Sequence, residues 1–126
     1  MNTKNLLTFQ AIVAILFGLT LIFVPKTLLG PYLTDPSDLN QVGQLLGSMY
    51  GAALIGIGVG CWVAREATHP KSWLYAILFA NGFNIYIYTE GIISGHFNSL
   101  LWSSLILVIV LALWAAYLLY VKKPVN

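Results

Sequence analysis

The hydrophobic residues of this chain fall into four long runs, separated by short segments rich in proline, glycine or charged residues. A helix needs about 20 apolar residues to cross a hydrocarbon core about 30 Å thick. Each of the four runs reaches that length, so the pattern predicts four membrane-spanning helices in a single domain. The predicted spans are 6–24, 42–64, 73–94 and 100–121, with an outer loop at 25–41.

The segments between the runs contain the residues that typically begin and end helices. Pro25 ends the first span, and Pro70 precedes the third. Asp35 is predicted to cap the second helix, with Pro36 in its first turn, so that this helix begins ahead of its apolar run. A tight turn over 95–98 joins the last two spans. The predicted fold class is all-α, a polytopic membrane protein forming an antiparallel four-transmembrane-helix bundle.

The positions of the cations predict the orientation of the spans. Lys and Arg are retained on the cytoplasmic side of a membrane protein. If the spans alternate, Lys26 lies alone on one side, and the other five cations lie together on the opposite side. Those five are Lys4, Arg65, Lys71, Lys122 and Lys123. Both termini are therefore expected in the cytoplasm, and the protein is expected to be a multi-pass protein of a cell membrane, specifically a bacterial inner membrane.

The composition agrees with this location and excludes several kinds of site. The chain is 59% hydrophobic and 8% charged, with a mean hydropathy of +0.82, well above what a soluble core of this size needs. The few cations form no run, so nucleic acid is not an expected partner. Cys61 is the single cysteine and has no ligand-type neighbour, which excludes an intrachain disulfide and a zinc site. We expect Cys61 to be a small apolar filler, and we expect no cofactor.

Small residues in the second span predict close helix packing. Helices in lipid associate mainly through close contact, which small side chains allow. The neighbour is either another helix of this chain or, alternatively, a second copy or a partner in a larger membrane complex. The glycines expected at such contacts are Gly43, Gly47, Gly51, Gly56 and Gly60.

Polar side chains interrupt the third span. At about 100° per residue, Asn81, Asn84 and Tyr88 share one side of the helix. An amide without a partner is costly in hydrocarbon, so this side is expected to face the interior of the bundle. One interpretation is hydrogen bonding between helices, and the other is a small polar cavity or substrate path. The partners predicted for the first interpretation are Gln10, Thr20, Ser48 and Ser103.

Glu90 is the only acid within the predicted spans, and it lies on a different face from Asn81. Counted back from Ser94, it is only ~6 Å from the outer end of its helix, where a carboxylate can reach water. It is either a solvated carboxylate, paired with His96 or Lys26, or a proton or cation site that includes His96. Two such residues do not define a metal site, and we expect none.

The first half of the chain resembles a known group of proteins. A first span ending in "LIFVPKTLLG", followed by "GQLLGSMYGAALIGIGVGCWVAR", is similar to small four-span bacterial membrane proteins of the DUF4345-like or DoxX-like kind. The resemblance covers roughly residues 10–66. It implies a four-span architecture and no catalytic residues.

The sequence contains neither a nucleophile with its base nor a glycine loop for phosphate. It therefore predicts a non-enzymatic membrane protein that acts through helix packing with itself, a membrane complex or lipid. One alternative is a small proton- or cation-coupled transporter, working as a dimer with Glu90. Its outline is similar to that of small multidrug resistance transporters, although that resemblance implies an acid in the first helix, which has none. A second alternative is a membrane enzyme or a quinone-binding subunit that uses Asn81, Asn84 and Tyr88.

Overall fold

A computed structural model of the chain describes residues 2–122, and over that range it is helical with short connecting loops. The described part contains no strand beyond one isolated bridge, so the all-α prediction is confirmed there. Lys123, one of the five cations predicted on the cytoplasmic side, lies outside the described residues. The helices are α1 (Thr3–Phe23), α2 (Pro25–Leu29), α3 (Gln41–Ala64), α4 (Lys71–Ile93) and α5 (Leu101–Ala116), with α5 continuing as a π-helix over Tyr117–Lys122 and single 3-10 turns at Gly30–Tyr32 and Pro36–Asp38.

Three helices within residues 2–122 are long and apolar enough to cross a membrane. They are Thr3–Phe23, Gln41–Ala64 and Leu101–Lys122. With 23 residues α4 is also long enough, but its polar side chains, among them Asn84 and Glu90, lower its hydropathy. The structure therefore supports a membrane protein with three candidate spans and one long helix of more mixed composition.

The outer surface of the helices is apolar along its length. Met49 on α3, Phe83 on α4 and Leu113 on α5 are each about two-thirds exposed, at 67%, 66% and 65%. Contiguous apolar surface of this extent is unusual on a soluble monomer but is the expected surface of a protein in lipid. The interior, in contrast, contains two buried amides, Gln10 and Asn81.

The start of α3 differs from the prediction. The carboxylate of Asp35 accepts hydrogen bonds from the backbone amide and hydroxyl of Ser37, at 3.0 and 2.7 Å, and so caps a single 3-10 turn. Both bonds also lower the pKa of the exposed Asp35 carboxyl, and the bond from the hydroxyl has the larger effect. The side chain of Asn40 accepts from the backbone N–H of Gly43 at 2.8 Å and is the N-cap of α3. The prediction that this helix begins near Pro36 is wrong, because a second capping residue follows the first.

The helices pack as two antiparallel pairs, α1 with α3 and α4 with α5. In the first pair, Gly18 faces Gly51 and Ala11 faces Gly58, so the order along one helix runs opposite to that along the other. In the second pair, the rings of Tyr75 and Tyr120 meet edge to face with centroids 6.4 Å apart. Tyr75 is near the start of α4 and Tyr120 follows α5, so these helices also run in opposite directions.

The five predicted packing glycines of α3 have different surroundings. A Cβ on Gly51 would lie 2.7 Å from the carbonyl oxygen of Gly18, so α1 is in backbone contact there. Gly60 provides the space for the Trp73 ring at the start of α4, whereas a Cβ on Gly56 would meet nothing within 4 Å. Of the remaining two, Gly47 lies beside the side chain of Leu29, the last residue of α2, and Gly43 lies beside Asn40 and Leu39 just before α3.

The apolar core lies toward one end of the helices, which we call the cationic end because it carries Lys4, Arg65, Lys71 and Lys122. Cys61 is fully buried there as an apolar filler, in line with the prediction. An ion pair of 3.1 Å between Lys4 and Glu66 joins α1 to the segment after α3. The core residues are Leu6, Leu7, Ala11, Cys61, Ala64, Leu74, Ile77, Leu111, Ala115, Leu118 and Leu119.

At the opposite end, which we call the loop end, the two helix pairs are joined by a contact between residues 31–34 and 95–98. Backbone hydrogen bonds run from Thr34 to His96 (3.0 Å) and from Asn98 to Tyr32 (2.7 Å), on either side of the bridge between Leu33 and Phe97. These bonds, which we call the two-loop contact, connect segments more than 60 residues apart in the sequence. The long loop between α2 and α3 (residues 30–40) is thus held against the short loop between α4 and α5 (residues 94–100).

Asn98 and Gly95 give the short loop its shape. The Asn98 amide donates to the carbonyls of Pro31 (2.7 Å) and Leu33 (3.3 Å), and its side-chain oxygen accepts from the N–H of Leu100 at 2.9 Å. Gly95 has a φ of +84°, a left-handed conformation that ends α4 and that glycine adopts without strain.

Candidate functional site

The polar side chains predicted on the third span lie between the two helix pairs. Asn81 is buried, with 4% of its surface exposed. Its amide donates to the side-chain oxygen of Gln10 on α1 at 3.3 Å and to the carbonyl of Ile77, one turn back in α4, at 2.8 Å. Both amides are therefore paired inside the protein, which offsets the cost of burying them.

Asn84 and Tyr88 lie one and two turns farther along α4, and both approach Tyr50 on α3. The Asn84 amide donates to the Tyr50 hydroxyl at 3.2 Å, and the Tyr88 hydroxyl also interacts with Tyr50. Asn84 and Tyr88 are half-buried, whereas Tyr50 is exposed over 43% of its surface. We call the five residues Gln10, Asn81, Tyr50, Asn84 and Tyr88 the polar seam.

The polar seam begins near the middle of the helices and extends toward the loop end. Counted from the end of α4, Asn81 is about 18 Å, Asn84 about 14 Å and Tyr88 about 8 Å from the loop end. A further hydrogen bond, from the Ser104 hydroxyl to that of Tyr32 at 3.3 Å, lies at the loop end itself. The side-chain hydrogen bonds between the helix pairs thus lie from the middle of the helices to the loop end, whereas the largest apolar cluster lies toward the cationic end.

Among the partners predicted for the asparagines, Gln10 is confirmed. The hydroxyls of Thr20 and Ser103 instead donate to carbonyls of their own helices, at 2.8 Å each, as short hydroxyl side chains commonly do in helices. Ser48 reaches the carbonyl of Leu21 on α1 at 3.2 Å. This bond joins α3 to α1, and Ser48 does not belong to the polar seam.

Tyr50 is the member of the polar seam that sequence reasoning missed. It joins Asn84 and Tyr88, although it lies 34 residues before Asn84 in the sequence. The available signal was a tyrosine nine residues inside an apolar helix, far from the interface where tyrosine is usual. A buried phenolic hydroxyl usually has a polar partner, and the asparagines of the third span are able to supply one.

Glu90 and His96 lie apart from the polar seam. Glu90 is exposed on the face of α4 that also carries Phe83 and Tyr86, and His96 is exposed in the short loop. Within residues 2–122, Glu90 forms no ion pair within 4 Å with either His96 or Lys26, the two partners predicted for it. The acid and the polar seam therefore use different faces of one helix.

The polar seam can bind by hydrogen bonding, but it lacks the groups for covalent chemistry. It consists of amides and phenols, with no carboxylate, imidazole or thiol among its five members. Among the described residues there is also no group of three or more histidine, cysteine or acidic side chains that could hold a metal ion. What the arrangement provides is specific, satisfied contact between helices, with a half-exposed phenol and amide at its edge.

Comparison of the chain with protein-family models, with curated proteins and with solved structures finds no match.

Proposed function

We propose that this protein is a four-span integral membrane protein that carries out no covalent chemistry and acts through association within the bilayer, with a copy of itself, a membrane complex or lipid. The observation that carries the proposal is the pairing of the polar seam inside an apolar surface. Gln10 and Asn81 bind each other, and Asn84 binds Tyr50. Side chains paired in this way hold the helices together. The apolar exterior is then the surface through which the protein associates with other molecules in the bilayer.

The proposal includes α4 as the fourth span. Its 23 residues suffice to cross the hydrocarbon, and its two asparagines have partners on α1 and α3, so their cost in lipid is offset. Glu90 and Lys71 lie near opposite ends of the helix, where charged groups reach water.

Native mass spectrometry tests association directly. Protein released from lipid vesicles is expected as a dimer, as a complex with another protein, or with phospholipid retained after detergent removal. A strictly monomeric species free of lipid and protein under gentle activation contradicts the proposal. A structurally unrelated four-span protein known to be monomeric, measured under the same activation, is the control for lipid loss during the measurement.

The proposal also places both termini in the cytoplasm, because the cationic end carries four cations in its described part and the loop end carries Lys26. A reporter active only outside the cytoplasm is expected to be inactive when fused after residue 126 and active when inserted in the exposed loop at Ser37. Strong activity of the C-terminal fusion overturns this orientation.

Cation-coupled transport is less well supported as a function. A coupling acid needs to share a site with the groups that bind substrate, but Glu90 and the polar seam lie on different faces of α4. Hydrolytic or redox chemistry finds still less support, since the polar seam consists of amides and phenols alone.

A further inference from the structure

The outer side of the first helix pair contains an apolar groove. It has a volume of about 370 Å³ and lies between α1 and α3, from the middle of α1 toward the cationic end of α3. Its lining is almost wholly apolar and faces away from the polar seam. The residues that line it are Ile12, Ile15 and Leu16 of α1 and Val59 and Trp62 of α3.

A cationic group lies at the end of this groove. The guanidinium carbon of Arg65 is 3.7 Å from the centroid of the Trp62 ring, so the cation rests on a residue that lines the groove. The Nε atom of Arg65 is buried and has no hydrogen-bond partner in the described part of the chain. Among the described residues, the carboxylate of Glu66 lies 3.8 Å from Nε, and the amine of Lys4 lies 3.1 Å from that carboxylate.

The geometry points to a binding site for one anionic phospholipid, with an acyl chain in the groove and the phosphate beside Arg65. This inference rests on the proposed function, because it requires the helix pair to lie in a bilayer. Arginine pairs with phosphate oxygens through several N–H donors, and a cation near the membrane surface attracts anionic lipid. Among the described residues at this end of the groove, the two cations Lys4 and Arg65 outnumber the one acid, Glu66.

Charge complementarity favours lipid over a second copy of the chain as the occupant. Copies inserted in the same direction and related by a two-fold axis would bring Arg65 and Lys4 of each alongside those of the other. Like charges in such a contact oppose association. An anionic phospholipid supplies both groups that the site needs. Its headgroup carries the charge opposite to that of Arg65, and its acyl chain is the apolar group that fits the groove.

Quenching of Trp62 by brominated acyl chains tests the site on the full chain. The protein is reconstituted in phosphatidylcholine bilayers that contain a small fraction of brominated phosphatidylglycerol or, in parallel, of brominated phosphatidylcholine. The contribution of Trp62 is the difference between wild type and Trp62→Phe, since Trp73, Trp102 and Trp114 are common to both proteins. The phosphatidylglycerol is expected to quench Trp62 at about one-fifth of the concentration that phosphatidylcholine requires.

Charge variants separate a specific site from general attraction to the surface. Arg65→Gln is expected to remove most of this preference, and the matched control Lys71→Gln, at the same end but not beside the groove, is expected to keep it. Glu66→Gln, which removes the opposing acid, is expected to strengthen it. Circular dichroism of each variant establishes that it is folded before the comparison is made.

Equal quenching of wild-type Trp62 by the two lipids overturns the inference while leaving the proposed function standing. Equal loss of preference in Arg65→Gln and Lys71→Gln also overturns it, because the attraction is then a general property of the cationic end. Failure of every tryptophan to be quenched by either lipid overturns both, since the protein is then not in the bilayer.

Discussion

Gly51→Ala is expected to lower the free energy of unfolding by about 1–3 kcal/mol, the usual cost of forcing extra atoms into a packed contact. The added methyl group would lie 2.7 Å from the carbonyl oxygen of Gly18 and 2.9 Å from the Cβ of Leu21. Backbone cannot move aside as the end of a flexible side chain can, so α1 and α3 must separate. Unfolding in mixed micelles of increasing denaturing detergent, followed by circular dichroism, measures the change.

Gly56→Ala is the matched control, with the same substitution in the same helix. A methyl group there meets nothing within 4 Å, and alanine is a better helix former than glycine by about 1 kcal/mol. The control is therefore expected to be neutral or stabilising. If the two variants lose equal stability, the backbone contact between Gly51 and Gly18 is not what holds the first helix pair together.

Asn98→Ala is expected to release the long loop between α2 and α3, residues 30–40, from the short loop between α4 and α5, residues 94–100. It removes three hydrogen bonds that join Pro31, Leu33 and Leu100 to one side chain. Two of these bonds, to Pro31 and Leu33, cross to the long loop. At a net contribution of about 1 kcal/mol per bond, the attachment of the long loop should weaken by about 2 kcal/mol. Limited proteolysis in detergent is expected to cut the variant within the long loop many times faster than wild type, while the helices stay intact.

Ser99→Ala provides the comparison for this experiment. Ser99 is the next residue, is exposed, and makes no side-chain hydrogen bond among those of the described chain. Its substitution is expected to leave the cleavage rate unchanged. A cleavage rate for Asn98→Ala that matches wild type would mean that the backbone bonds of the two-loop contact suffice without the amide.

The helices themselves were predictable because local properties of the chain decide them. The third helix was expected at 73–94 and is observed at Lys71–Ile93, since an apolar run of that length has few other favourable conformations. The capping residue of α3 was predictable in type but not in position. Asp35 and Asn40 both suit an N-cap, and the structure uses both, one for a single turn and one for the long helix.

The interior face of α4 was also predictable, because an unpaired amide in hydrocarbon is costly. The hydrogen-bond partners of the asparagines on this face were only partly predictable. Gln10 was one of four equivalent choices, and Tyr50 was not among them. Any hydroxyl or amide on another helix can bind an asparagine that lies within hydrogen-bonding distance. Which of them lies within that distance depends on how the helix pairs are rotated against each other.

The sequence by itself determined that this protein is helical, that its helices have an apolar exterior, and where cations collect along the chain. These follow from the length of apolar runs, from proline and from charge, all of which act locally. Only the tertiary structure decided that Gly51 meets α1 while Gly56 faces outward, that Tyr50 joins Asn84, and that Asn98 holds the long loop. Each of these is a contact between residues distant in sequence, fixed by which helix faces come together.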